Sequence, residues 1–201
     1  MKDLDTSLFF RVFTSRTVHE GDLLVAQPFL SESCFRHSVI SLIDYSACEG
    51  ATGIVINKRV NYHLDEVLDG VETDAAVTVY CGGPLCQDRL YFVHTLGDTV
   101  IPGARLYAPG MWVGGDFDSA VGYINAGYPV DGHIRFFVGY SGWGPGQLES
   151  ELEEGSWAVV PAASSQGLLS SSDDACWHAA VRHLGPDYRA WTLVPDNLNA
   201  N

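Results

Sequence analysis

A chain of 201 residues with 46% hydrophobic and 11% aromatic side chains carries enough apolar material for a sizeable core. No linker divides it, so a single domain over residues 1–201 is expected rather than a disordered chain. Asp and Glu number 25 against 11 Lys and Arg, a formal net charge of -14, and the few basic groups (Arg36-His37, Lys58-Arg59, Arg182-His183) form no stripe. Polyanions are repelled by such a chain, so direct binding to nucleic acid is not expected.

In chain order, the N-terminal segment around Leu8 to Phe13 reads as helical. Leu23 to Ala26 reads as a strand ended by Pro28. Val39 to Ile43 and Thr52 to Asn57 are β-branched runs joined by turn residues, hence a hairpin-like pair. Leu64, Val67 and Leu68 mark a short amphipathic helix stopped by Gly70, and Val77 to Tyr80 a strand leading into Cys81-Gly82-Gly83-Pro84. Leu90 to Val93 and Met111 to Val113 read as strands, and Phe117, Val121 and Ile124 recur at helical spacing before Gly127.

Ile134 to Val138 is the strongest strand signal and runs into a glycine-rich turn from Gly139 to Gly146. A helix with Leu148 and Leu152, a strand from Ser156 to Pro161, and a helix from Asp173 to Leu184 follow, the last burying Trp177, Ala180, Val181 and Leu184 ahead of Gly185-Pro186. Strands come in pairs without a helix after each. The expected class is α+β, with a mixed, largely antiparallel sheet around a barrel-like or split core flanked by helices.

No complete catalytic or cofactor motif is present. Gly142, Gly144 and Gly146 stand between a strand and a helix, but the third glycine of a dinucleotide fingerprint is replaced by Gln147, and no phosphate-loop G-K-[ST] occurs. A tight turn bringing Trp143 against the sheet is the plainer reading. Ser141 lies at an expected strand-to-helix corner, where hydrolases place a nucleophile, yet the surrounding residues are not G-x-S-x-G.

Cys81 and Cys86 lack a second ligand pair, and Cys176, His178 and His183 do not share one helix face, so neither group makes a zinc site. Glu149, Glu151, Glu153 and Glu154 read as a solvated acidic face. Five cysteines at irregular spacing suggest a reducing compartment, and no apolar run approaches the roughly 20 residues that cross a bilayer. With Leu8-Phe9-Phe10 too short for a signal-peptide core, a cytoplasmic location without membrane contact is expected.

Five segments together carry a resemblance: Gly21–Pro28 (GDLLVAQP), Phe35–Val39 (FRHSV), Gly53–Asn57 (GIVIN), Gly82–Pro84 with Arg89 and His94, and Gly139–Glu149 (GYSGWGPGQLE) with Glu151-Leu152. In their order they resemble the bacterial AlgH/YqgE family over nearly the whole chain. The departures are Asp44-Tyr45, where the family often has an acidic-His pair, and the Ser31–Ser33 stretch in place of an Asp before Phe35. The resemblance implies an α+β fold with a barrel-like, partly split sheet, a cytoplasmic location and, by the family's name, a link to transcriptional regulation. It implies no established reaction.

The expected function is therefore binding or regulation through a small ligand or a protein partner, with no cofactor and no metal. The alternative is a hydrolase using Ser141 or His94. A ligand site is expected where Gly82, Gly83, Pro84, Arg89 and His94 meet Asn57 and the Tyr140, Trp143 and Gln147 segment. Glycines at strand ends permit close approach there, and Arg89, Asn57 and Gln147 offer directional donors and acceptors.

Overall fold

The computed structural model describes residues 17–30, 32, 34–73, 75–162, 167–171 and 173–194. The expected N-terminal helix lies outside these residues. Alternation of apolar side chains organises the rest: in strand β1 (Leu23–Ala26) every residue is buried, with Leu23 and Val25 in one core cluster and Leu24 and Ala26 in another. Successive side chains of a strand point to opposite faces, so this strand is covered on both sides.

β1 lies between β10 (Trp157–Val160) and β2 (Val39–Ser46), antiparallel to both. β2 forms the expected hairpin with β3 (Gly50–Val55). Helix α3 (Asp173–Leu184) covers one face with Cys176, Trp177, Ala180 and Val181, while α2 (Gln147–Glu153) covers the other with Leu148 and Leu152. Leu184 is only partly buried. Trp177 is fully buried and donates its indole N–H to the Ala26 carbonyl at 2.9 Å, so its large apolar surface is buried without orphaning its one donor.

The remaining strands are β4 (Arg59–His63), β5 (Thr78–Cys81), β6 (Leu85–His94), β7 (Arg105–Ala108), β8 (Met111–Val113) and β9 (Ile134–Trp143). The sheet runs β10-β1-β2-β3-β9-β6-β8-β7, with β4 on β5 and β5 on β9. α1 (Phe117–Asn125), capped by the Asp116 side chain on Ser119 N–H, packs Ala120 and Ile124 with Phe92, Ile134 and Phe136 in a third cluster.

The pivot is β9. Its first half pairs with β6 and, in parallel, with β5 through residues 136–138, whereas its last three residues pair with β3. The sheet is thus split at β9 and not closed into a barrel. Gly82 sits in the split: its N–H donates to Val138 O and its carbonyl accepts from Val55 N–H, both at 2.8 Å.

Two corrections concern local structure. The segment from Gly139 to Trp143 continues β9 and is not a turn; the turn begins at Gly144. Strand hydrogen bonds from β3 and β6 hold it in the sheet, across an irregularity at Gly139 (φ 72°), because its glycines let neighbouring chains approach. A Cβ on Gly139 would lie 2.5 Å from Gly83 O. The helix expected around Leu64 shrinks to the single 3-10 turn Leu64–Glu66, since only Leu64 of that stretch is buried.

A cleft between two tryptophans and a glycine crossing

Gly82 and Gly83 bring the chain onto β9. A Cβ on Gly82 would stand 2.2 Å from Gly139 O, and one on Gly83 2.3 Å from Tyr140 C. Their small size serves backbone–backbone approach, which places Pro84 and Leu85 beside Gly142 and Trp143. There a cavity of about 350 Å³ opens, lined by Pro84, Leu85, Gly142, Trp143, Gln147, Glu151, Glu154, Ser156 and Trp157, with Leu30, Glu32 and Phe35 from the β1–β2 connection.

Glu151 is the hub of this cleft. Its Oε2 accepts from the indole N–H of Trp143 at 2.8 Å and of Trp157 at 2.7 Å, and its Oε1 accepts from the Gln147 side-chain amide at 2.9 Å. Gln147 is itself held by Gly144 N–H at 3.1 Å. A carboxylate offers about four lone-pair sites, so three donors leave it one. The rings add a geometric frame, with Trp157 meeting Trp143 and Phe35 edge-on at centroid distances of 6.1 and 5.5 Å. Among the described residues no lysine or arginine lines the cavity, whereas Glu32, Glu151 and Glu154 do.

Among the expected site residues, Pro84, Trp143 and Gln147 meet here. Tyr140 and Trp143 border a second, shallower recess of about 350 Å³ on the far side of Gly142, next to Asp44, Glu49 and Thr52. Arg89 is exposed on β6, where it interacts with the Tyr91 phenol, and it does not line the cleft. Asn57 is fully buried elsewhere: its Oδ1 accepts from Val39 N–H at 2.8 Å, and its Nδ2 donates to the carbonyls of His37 and Asp173 at 2.9 Å each.

His94 is also fully buried. Its Nε2 lies 3.2 Å from Gly114 O, and Leu96 N–H donates to its Nδ1 at 3.3 Å. Only a neutral imidazole protonated on Nε2 serves both bonds, and burial pushes its pKa below the usual value. Ser141 stands within β9 and not at a corner; it is buried, with its hydroxyl donating to Gly82 O at 3.4 Å. Those bonds account for both side chains, and the hydrolase alternative gains no support from them.

The acidic helix also differs from expectation. Glu149 and Glu151 are partly buried and turned to opposite partners, Glu149 accepting from Tyr45 OH at 2.6 Å. That bond and burial push the Tyr45 phenol up to about 12. Glu151 and Trp157 escaped the sequence reading; the one available signal was the Glu151-Leu152 pair within the resemblance. Among the described residues no three His, Cys, Asp or Glu side chains gather as a metal site, and no helix is long and apolar enough to cross a membrane.

The chain and its fold have relatives. A UPF0301 protein of Parabacteroides distasonis is 37% identical over 182 residues, covering 90% of this chain and 91% of its own. One of Bacteroides thetaiotaomicron is 35% identical over 193 residues, covering 96% of both chains. The solution structure of the AlgH protein from Pseudomonas aeruginosa superposes with a TM-score of 0.64 at 26% identity, over 90% of this chain and 98% of that one. A crystal structure of a Corynebacterium diphtheriae protein shares the fold with a TM-score of 0.68 at 23% identity, over 90% and 95%. The AlgH-like family model spans residues 23–189, from β1 past the end of α3, and with these relatives it shows that the chain belongs to that family.

Proposed function

We propose that this protein is a binding module whose cleft between α2, β9 and the β1–β2 connection takes a positively charged group, a guanidinium or ammonium, carried by a small ligand or a partner protein. One observation carries the reading. Glu151 is fixed by two indole N–H groups at the wall of a cavity that three aromatic rings and two further carboxylates line, with no lysine or arginine among the described lining residues. Aromatic faces and carboxylates attract cations, and a carboxylate held before binding loses little freedom on binding.

The overall charge of -14 favours the same partners and disfavours duplex DNA, so regulation would proceed through a ligand or protein and not by direct contact with nucleic acid. A cytoplasmic setting is part of the proposal, supported by five free cysteines. Calorimetric titration with agmatine, a small guanidinium compound, tests it. Saturable binding with a Kd of about 1 mM or tighter, weakened in Glu154→Gln, is the expected result. Heat of dilution alone at tenfold that concentration would refute the reading, as would unchanged affinity in Glu154→Gln and Glu32→Gln together.

A further inference from the structure

We propose that a second cavity, walled by β4, β5 and the start of β9, is a binding site for a small organic carboxylate, received by the buried guanidinium of Arg135. Arg135 is only 5% exposed and lines this cavity of about 430 Å³. Its Nη1 donates to the carbonyls of Ile56 and Ser171 at 2.6 and 3.1 Å, and its Nη2 donates to the Leu169 carbonyl. A guanidinium carries five N–H donors. The Nε–H and the second Nη2–H therefore have no acceptor among the described residues, and no described carboxylate forms an ion pair with the group. The ring of Tyr80 covers one face, 4.2 Å from the guanidinium carbon. A buried charge is costly unless it is paired, and three carbonyls and a ring offset only part of that cost. In a chain with a net charge of -14, the one arginine buried among the described residues is thus left without a counter-ion beside open space.

The lining narrows the class of anion. A planar guanidinium fork matches a carboxylate, which accepts from two N–H groups at once. Arg59 also lines the cavity; its Nε is tied to Asp173 at 3.1 Å, so it adds positive field and not a second fork. Asp131 lines the same cavity and repels anions, a dianion such as phosphate about twice as strongly as a monocarboxylate. Val77, Val130 and Ile134, with the rings of Tyr80 and Tyr128, offer apolar surface for the body of the acid. The cavity shares no lining residue with the cleft beside Glu151, so the carboxylate site stands or falls apart from the proposed function.

Benzoate is the probe, titrated into the full chain by calorimetry at constant ionic strength. Saturable binding with a Kd of about 1 mM or tighter is expected. Arg59→Gln should weaken it about threefold, and Asp131→Asn should tighten it by about the same factor. Both residues are exposed, so neither change threatens the fold. Arg135→Lys keeps the charge and loses the fork, and where circular dichroism shows it folded, affinity should fall at least about tenfold. No saturation by about 20 mM benzoate would overturn the proposal. Equal affinities in wild type, Arg59→Gln and Asp131→Asn would do so too, as would undiminished binding by folded Arg135→Lys. Loss of binding in Arg189→Gln, which borders a separate cavity beside Gly185, would place the anion there instead. Inorganic phosphate binding more tightly than benzoate would overturn the assignment of a carboxylate.

Discussion

Asn57 and Glu151 each hold three hydrogen bonds, but the company they keep is different. Asn57 is sealed in the core, and all its partners are backbone groups: Val39 N–H, the His37 carbonyl and the Asp173 carbonyl, so it stitches β2, the connection before it and the start of α3 together. Arg135 does the same nearby, donating to the carbonyls of Ile56, Leu169 and Ser171 under a cation–π contact of 4.2 Å with Tyr80. Glu151 is held by side chains at the wall of an open cavity and keeps spare accepting capacity. Polar groups bonded to backbone hold the fold, whereas a charge oriented by side chains beside empty space is ready for a ligand.

Breaking the first region should cost most. Asn57→Ala strands one buried N–H and two carbonyls, and a loss of about 3–4 kcal/mol is expected by urea denaturation. A loss under about 1 kcal/mol would show that the junction relaxes around the missing amide. Glu151→Gln should cost less, about 1–2 kcal/mol, because its amide oxygen can still accept from both indoles while its NH2 group faces the Gln147 amide donor; here agmatine binding should weaken more than stability does.

His94 supplies a pH test of the buried class. Its folded pKa is depressed by burial, so the unfolded chain takes up a proton near pH 6.5 while the folded chain resists it. The stability His94 contributes is therefore complete above that value and lost as pH falls below it toward the folded pKa. Wild type should lose more stability than His94→Gln between pH 7.5 and about 5.5, and parallel losses would contradict a neutral buried imidazole. The smallest effects are expected at exposed Arg89 and Gln147, where alanine should shift stability by no more than about 0.5 kcal/mol. Gln147→Ala should still lower agmatine affinity by freeing Glu151, and Arg89→Ala should not.

Period-2 burial and β-branched runs made β1, the β2–β3 hairpin, β5, β8 and β10 readable in the sequence, and 3.6-residue spacing did so for α1 and α3. β4 and β7 escaped because their exposed polar positions, Arg59, Asn61, His63 and Arg105, imitate loop composition. The far end of β9 escaped because glycine was taken for a turn, when Gly139 and Gly142 are strand positions that admit Gly83 and Leu85.

In the site, Pro84, Trp143 and Gln147 were legible because they flank glycine-rich corners. Asn57 and His94 looked alike as polar residues beside strands, and only tertiary packing reveals that their bonds are already filled. Glu151 was hidden by its acidic neighbours, and its partners Trp143 and Trp157 come from two different strands.

The most direct measurement follows the indole N–H resonances of the five tryptophans by two-dimensional NMR during an agmatine titration. Trp143 and Trp157 donate to Glu151, the carboxylate proposed to meet the ligand, whereas Trp177 donates to Ala26 O in the opposite core cluster and Trp191 is buried in that same cluster. The account predicts saturable, concerted shifts of the Trp143 and Trp157 signals with those of Trp177 and Trp191 unmoved. Shifts confined to other tryptophans, or none at saturation of the calorimetric signal, would place the ligand elsewhere and contradict it.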